Sequence, residues 1–219
     1  MYRELQLTED GSHTVYVKGL DEPYHSIHGA VQESSHVFID QGFKSLEKTH
    51  LNILEIGLGT VLNVLLTLVA SSSEKYKVYY HAVEKYPLSP SEYNQLNFER
   101  VISDIPPGCL LKLHDAPWET RFYLRDNFSI YKEKSDFRTM NPTGKFDLVY
   151  FDAFSPDKQP HLWSAEIFLK ISQHMNSGGI LVSYSSKSDV RRALVSSRFN
   201  VAKVPGPPGK WEMIRAIKR

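Results

Sequence analysis

The chain has 219 residues, of which 41% are hydrophobic and 23% charged, enough material for a sizeable core, so intrinsic disorder and fibrous architectures are excluded. No apolar run approaches the ~18 residues that a membrane span needs, and the one cysteine, Cys109, rules out an internal disulfide, a zinc cluster and an iron–sulfur site. The net charge of +1 hides an asymmetry: residues 1–50 hold four Lys/Arg and eight Asp/Glu, whereas residues 187–219 hold nine Lys/Arg and two Asp/Glu. A basic segment of this kind is either a solvated face or a nucleic-acid footprint.

Met1-Tyr2-Arg3-Glu4 lacks the apolar stretch of a signal peptide, and the chain reads as cytosolic. Leu5 and Leu7, then Val15 and Val17, flank Glu9-Asp10-Gly11-Ser12 and predict a β-hairpin. A loop at Tyr24–Gly29 and a helical stretch near residues 30–40 follow. From residue 51 strands and helices alternate. Leu51–Ile56 is a short apolar run of the kind buried on both sheet faces. Thr60–Ala70 repeats leucines at helical spacing. Val78–Val83 predicts a second strand, and Ser89-Pro90-Ser91-Glu92 opens a helix with a capping box. Phe128–Tyr131 and Phe146–Phe151 are strand-like. Leu162–Met175 predicts a helix ended by Gly178-Gly179, with a strand at Ile180–Tyr184 and a short helix after Ser188-Asp189. Phe199–Val204 and Glu212–Ile217 predict a closing strand pair across a Pro/Gly-rich turn. The expected fold is α/β and Rossmann-like. It has a mostly parallel sheet, an antiparallel C-terminal edge hairpin and a small N-terminal β extension. One domain over 1–219 is expected, with residues 1–50 as the extension and 51–219 as the core.

Ligands of such sheets bind at the carboxyl ends of the strands. Glu55-Ile56-Gly57-Leu58-Gly59-Thr60 lies at a strand–helix junction, where glycine lets the backbone approach a ligand closely. Glu84 ends the next strand, where a carboxylate can accept both hydroxyls of a ribose. The third glycine of a dinucleotide fingerprint is replaced by Leu62, which favours a nucleoside over a pyrophosphate. Phe151-Asp152-Ala153-Phe154-Ser155-Pro156 leaves the sheet at a third strand end, and Asp152 can hold an amine or a sulfonium there, or merely cap a turn. His25, His28 and His36 lack the cysteine partners or HExxH context of a zinc site, so no metal is expected. Cys109 with His114 lacks a third orienting group for nucleophilic catalysis.

Three blocks carry a family resemblance: Gly57-Leu58-Gly59-Thr60-Val61-Leu62-Asn63, His81-Ala82-Val83-Glu84-Lys85-Tyr86-Pro87-Leu88, and Phe151 through Trp163. With the tail segments Val190–Leu194 and Gly209–Met213, they resemble the methyltransferase domain of the tRNA 5-methylaminomethyl-2-thiouridine biosynthesis enzyme, from about Tyr24 to the end. Val61 departs from the family pattern GxGTGLN by replacing its last glycine. The resemblance implies a class I methyltransferase fold with S-adenosylmethionine as cofactor. Gly57, Gly59 and Asn63 would belong to the cofactor loop, Glu84 to the ribose, Asp136 to adenine and Asp152 to the reacting centre, with Glu55 and Lys85 also cofactor-binding. It further implies methyl transfer to the aminomethyl nitrogen of a modified wobble uridine in the anticodon loop of tRNA. The flavin oxidoreductase that acts in the same pathway would be a separate protein. Phe154 and Trp163 are candidate stacking or pocket-wall groups, and Lys158, Lys187, Arg191, Arg192 and Lys210 candidate RNA contacts. Two rival readings are a non-catalytic adenosine- or RNA-binding module on a transferase scaffold and an NAD-dependent oxidoreductase.

Overall fold

The structure is a computed structural model that describes residues 2–219. Strands β1 (Arg3–Leu7), β2 (His13–Val17) and β3 (Glu22–Pro23) form a small antiparallel sheet. Asp10 and the left-handed Gly11 make its first turn, with the Asp10 carboxylate accepting from the Ser12 amide at 3.0 Å. Helix α1 (Ala30–Ser34) runs on as a π-helical turn to Asp40, burying Val37, Phe38 and Ile39. The predicted hairpin and helical stretch are both present.

The main sheet contains eight strands: β4 (His50–Ile56), β5 (Lys77–Val83), β6 (Arg121–Arg125), β7 (Phe128–Glu133), β8 (Phe146–Phe151), β9 (Met175–Ser183), β10 (Phe199–Pro205) and β11 (Glu212–Lys218), in the order β10-β11-β9-β8-β4-β5-β7-β6. Strands β9, β8, β4, β5 and β7 run parallel. β11 lies antiparallel between β9 and β10, and β6 is antiparallel to β7 at the other edge. The chain winds outward from β4 in both directions, so a crevice opens where β4 and β8 part at their carboxyl ends, the usual ligand position of such sheets. Every residue of β8 is buried, as its mostly apolar sequence requires, and its one charged residue, Asp147, is matched by Lys48, the Asn52 amide and Asn176. One core packs α1, α2 (Leu62–Ala70) and α5 (Cys109–Asp115) on one face; a second packs α6 (Ala165–Gln173) and α7 (Ser188–Ser196) on the other. The short helices α3 (Pro90–Tyr93) and α4 (Phe98–Val101) complete the connections, α3 with its predicted capping box.

Two element boundaries differ from expectation, and two elements are additional. The helix ends at Gln173, and Gly178-Gly179 lie inside β9. There a Cβ on Gly179 would stand 2.9 Å from the Asn176 carbonyl oxygen, so the glycines serve an irregular strand register rather than stopping a helix. Helix α2 starts at Leu62, because Val61 takes a left-handed backbone (φ 61°, ψ 14°). Strand β6 and helix α5 were not foreseen, since their periodicity is short and half-polar.

Candidate active site

A cleft of about 340 Å³ opens at the carboxyl ends of β4, β5, β7 and β8. Four loops line it: residues 57–59, 84–86, 135–138 and 152–162 in part. Leu20, Tyr24 and His25 close it from the N-terminal sheet.

The glycine loop follows from close approach. Gly57 has φ 95°, donates its N–H to the Val83 carbonyl at 3.0 Å, and would place a Cβ 2.3 Å from the Asp152 carbonyl oxygen. Any side chain there would push β4 and β8 apart. Gly59, at φ 48°, donates its N–H to Glu84 Oε2 at 3.1 Å, and Tyr86 N–H reaches Oε1 of the same carboxylate at 2.7 Å. Two backbone donors thus fix Glu84 at the cleft wall and leave lone pairs for further donors. Val61 occupies a backbone region that β-branched residues rarely enter, yet its side chain is fully buried. The left-handed turn is made here without a glycine.

Past β7, Asp136 accepts from Arg138 Nη2 at 2.6 Å and pairs with Lys85 at 3.0 Å. The Arg138 hydrogen bonds hold its carboxyl well below the usual carboxylate range. Lys85 reaches the cleft through this pair, with its ammonium 5.0 Å above the Tyr86 ring.

Asp152 lies at the cleft floor. Burial pushes its carboxyl up to about 7, against a single hydrogen bond from Asn63 that opposes the rise. The Asn63 amide nitrogen donates at 2.8 Å both to Asp152 Oδ2 and to Glu55 Oε1. Glu55 is fully buried, and burial raises its carboxyl well above the ordinary range. Glu55 and Asn63, expected in the cofactor loop, are buried and do not line the cleft; Asn63 holds Asp152 from behind it.

Phe154 lines the cleft, its ring edge-on to Tyr24 at 5.1 Å. Trp163 is not a pocket wall. It is buried against Phe151 and donates its indole N–H to the Phe154 carbonyl at 2.8 Å, which fixes the loop instead. Among the basic candidates, Lys158 lines the mouth. Lys187 pairs with Asp157 and Arg192 with Asp189 of its own helix. Lys210 pairs with the buried Glu33 at 2.6 Å. Arg191 is exposed and makes no ion pair among the described residues.

The N-terminal sheet contributes residues that sequence reasoning passed over. The Tyr24 ring packs on Gly59, where a Cβ would come within 3.0 Å of it. Glu22 accepts from the Ser155 amide at 2.9 Å and from its hydroxyl at 2.6 Å, pinning the loop after β8. His25 Nε2 meets the Thr60 hydroxyl at 2.8 Å, and burial holds that imidazole down at about 4, neutral at physiological pH. The three histidines diverge: His28 bonds Glu9, and His36 bonds the Pro205 carbonyl. The only early signal for this wall was the aromatic and polar run Tyr24-His25-Ser26, which looks like any loop. No helix among the described residues is long and apolar enough to cross a membrane.

Residues 126–219 match a family described as S-adenosyl-L-methionine-dependent methyltransferase. The chain is 28% identical to the tRNA 5-methylaminomethyl-2-thiouridine biosynthesis bifunctional protein MnmC of Cupriavidus metallidurans, over 94% of this chain and 32% of that protein. It is 30% identical to the protein of the same name from Aromatoleum aromaticum, over 98% of this chain and 35% of that protein. It therefore spans about a third of the length of these curated relatives. Among solved structures, MnmC2 from Aquifex aeolicus superposes with a TM-score of 0.82 at 27% identity, over 100% of this chain and 70% of that one. A methyltransferase from Pyrococcus furiosus shares the fold at a TM-score of 0.51 and 16% identity. The likeness read from the motifs is borne out by these relatives, and the fold is that of the class I methyltransferases.

Proposed function

We propose that this chain, a methyltransferase with the fold and cleft for S-adenosylmethionine, methylates the aminomethyl nitrogen of a modified wobble uridine in tRNA. The observation that carries the reading is the placement of Asp152 at the cleft floor, held by Asn63 and adjoining the glycine loop through Gly57.

The residues present fit the cofactor. Glu84, fixed by two backbone donors, has the acceptor capacity for a ribose diol. Apolar Val83 and Phe137, beside Asp136, suit an adenine, and Asp152 suits a cation. When bound, S-adenosylmethionine supplies an electrophilic methyl group. The protein's task is to present a neutral amine in line with it. An aminomethyl group carries a proton in water, so Asp152 in its ionised form takes that proton and releases the nitrogen lone pair. Asn63 holds Oδ2, which leaves Oδ1 for the amine. Tyr24 and Phe154 wall the cleft against water. The target base sits in an anticodon loop and is already unpaired, so turning it into the cleft costs little. The setting is the cytoplasm, with the anticodon loop as partner and a flavin oxidoreductase acting on the same nucleoside.

Mass spectrometry of wobble nucleosides tests this. Cells lacking the chain should accumulate the unmethylated aminomethyl uridine, and the purified protein with S-adenosylmethionine should convert it. An unchanged nucleoside profile together with no conversion in vitro would overturn the proposal. Glu84→Ala should weaken S-adenosylhomocysteine binding by ~1.5–3 kcal/mol, the range for losing charge-assisted hydrogen bonds.

A further inference from the structure

Trp211, at the tip between β10 and β11, is 97% exposed, whereas Trp163 is buried and Trp118 packs against the core. An indole left in water forgoes the burial that makes tryptophan useful inside a protein, so packing does not explain it. The tip that carries it is held in shape. The Gly206 amide donates to the Trp211 carbonyl at 3.1 Å and the Lys210 amide to that of Pro207 at 2.9 Å, across Pro207-Pro208. It is also clamped to the N-terminal region by the Lys210–Glu33 pair at 2.6 Å and by His36 on the Pro205 carbonyl at 2.7 Å. The clamp reaches the reacting centre: the Lys210 ammonium lies 4.4 Å over the Tyr184 ring, and the Tyr184 hydroxyl donates at 2.8 Å to the carbonyl of Ala153, next to Asp152. The surrounding segment, residues 187–219, carries nine basic and two acidic side chains.

We infer that Trp211 is a docking platform on which an unpaired nucleobase of the substrate RNA stacks. This rests on the proposed tRNA reading and names a contact for it. A rigid exposed indole suits a base, because every base offers a π-face, and the excess of cations in its segment favours a polyanion. Because the tip is preformed, binding costs little further ordering of the chain.

The test uses the full chain with an anticodon stem-loop and with a fully paired duplex of the same length. Indole fluorescence should be quenched by the stem-loop and much less by the duplex, and Trp211→Phe should remove the quench while the two packed tryptophans remain as background. Trp211→Ala should raise the KM for tRNA about ten- to a hundredfold, the range for one lost stacking contact. Trp211→Phe should stay within roughly threefold, and S-adenosylhomocysteine affinity should not change in either variant. The inference is overturned if Trp211→Ala methylates tRNA with wild-type KM. It is overturned equally if stem-loop and duplex quench alike, or if the variant loses only a concentration-dependent dimer. A wild-type chain that neither binds nor methylates tRNA would overturn the proposed function, and this inference with it.

Discussion

The amide nitrogen of Asn63 lies 2.8 Å from Asp152 Oδ2, so helix α2 holds the carboxylate at the end of β8, 89 residues further along the chain. The same nitrogen serves Glu55, whose carboxyl is raised by burial well above the ordinary range, which disfavours two adjacent buried negative charges. Asn63 is therefore a positioning residue for Asp152.

Asp152 is expected to govern a pH window. Its folded-state pKa, pushed up to about 7, lies above that of an unfolded aspartate. Its contribution to stability is thus fully present below the ordinary carboxylate range and is lost as pH rises through about 7. Asp152→Asn should raise Tm above that pH and leave it unchanged near roughly pH 4. Turnover should fall by roughly 10²-fold or more, and the wild-type kcat/KM should rise with pH through about 7. A Tm difference independent of pH would place the carboxylate in water.

Glu22 binds Ser155 through two hydrogen bonds and so ties the N-terminal sheet to the loop that carries Phe154. Glu22→Ala should lower kcat/KM about tenfold by loosening that loop, with Glu22→Gln intermediate because its amide oxygen still accepts. S-adenosylhomocysteine affinity, measured calorimetrically, should move little. Equal kinetics in all three proteins would leave Glu22 a surface contact only.

Val61→Gly sets two effects against each other. Relief of the left-handed backbone is worth about 1–2 kcal/mol. Loss of a fully buried valine side chain costs about 1.5–3 kcal/mol, and glycine adds about 0.5–1 kcal/mol of unfolded-chain entropy. Burial wins, and denaturant unfolding should show a loss of about 1–2 kcal/mol. Cofactor affinity should be retained, since the backbone conformation already exists. A stabilised variant would mean that strain dominates.

Alanine at Arg191, Arg192 and Lys210 should shrink the slope of log K against log[salt] for tRNA by about one, from Arg191, rather than by about three. Arg192 and Lys210 are held by Asp189 and Glu33. Lys210→Ala alone should lower Tm, because it strands the buried Glu33 carboxylate. A slope change near three would mean that both pairs open for RNA.

The mostly apolar strands Leu51–Ile56 and Phe146–Phe151, the glycine turn and the acids at strand ends were legible in the chain alone. They report local physics: strand burial, backbone freedom, and the position of a side chain relative to the end of its own element. Glu84 and Asp152 could be found that way. Glu55 and Asn63 could be found as well, but not their place behind the loop, because that depends on β4, α2 and β8 converging. Trp163 reads identically as wall or core until Phe151 and Phe168 are packed against it. The partners of Lys210 and Arg192 were likewise hidden: charge counts record how many cations a segment holds, not which carboxylate folds up beside each. The largest gap was the N-terminal sheet. Glu22, Tyr24 and His25 meet Ser155, Gly59 and Thr60 across 133, 35 and 35 residues of chain. Contacts at such separations leave no periodic trace in sequence, so their pairing is decided only when the sheet brings those loops to one end.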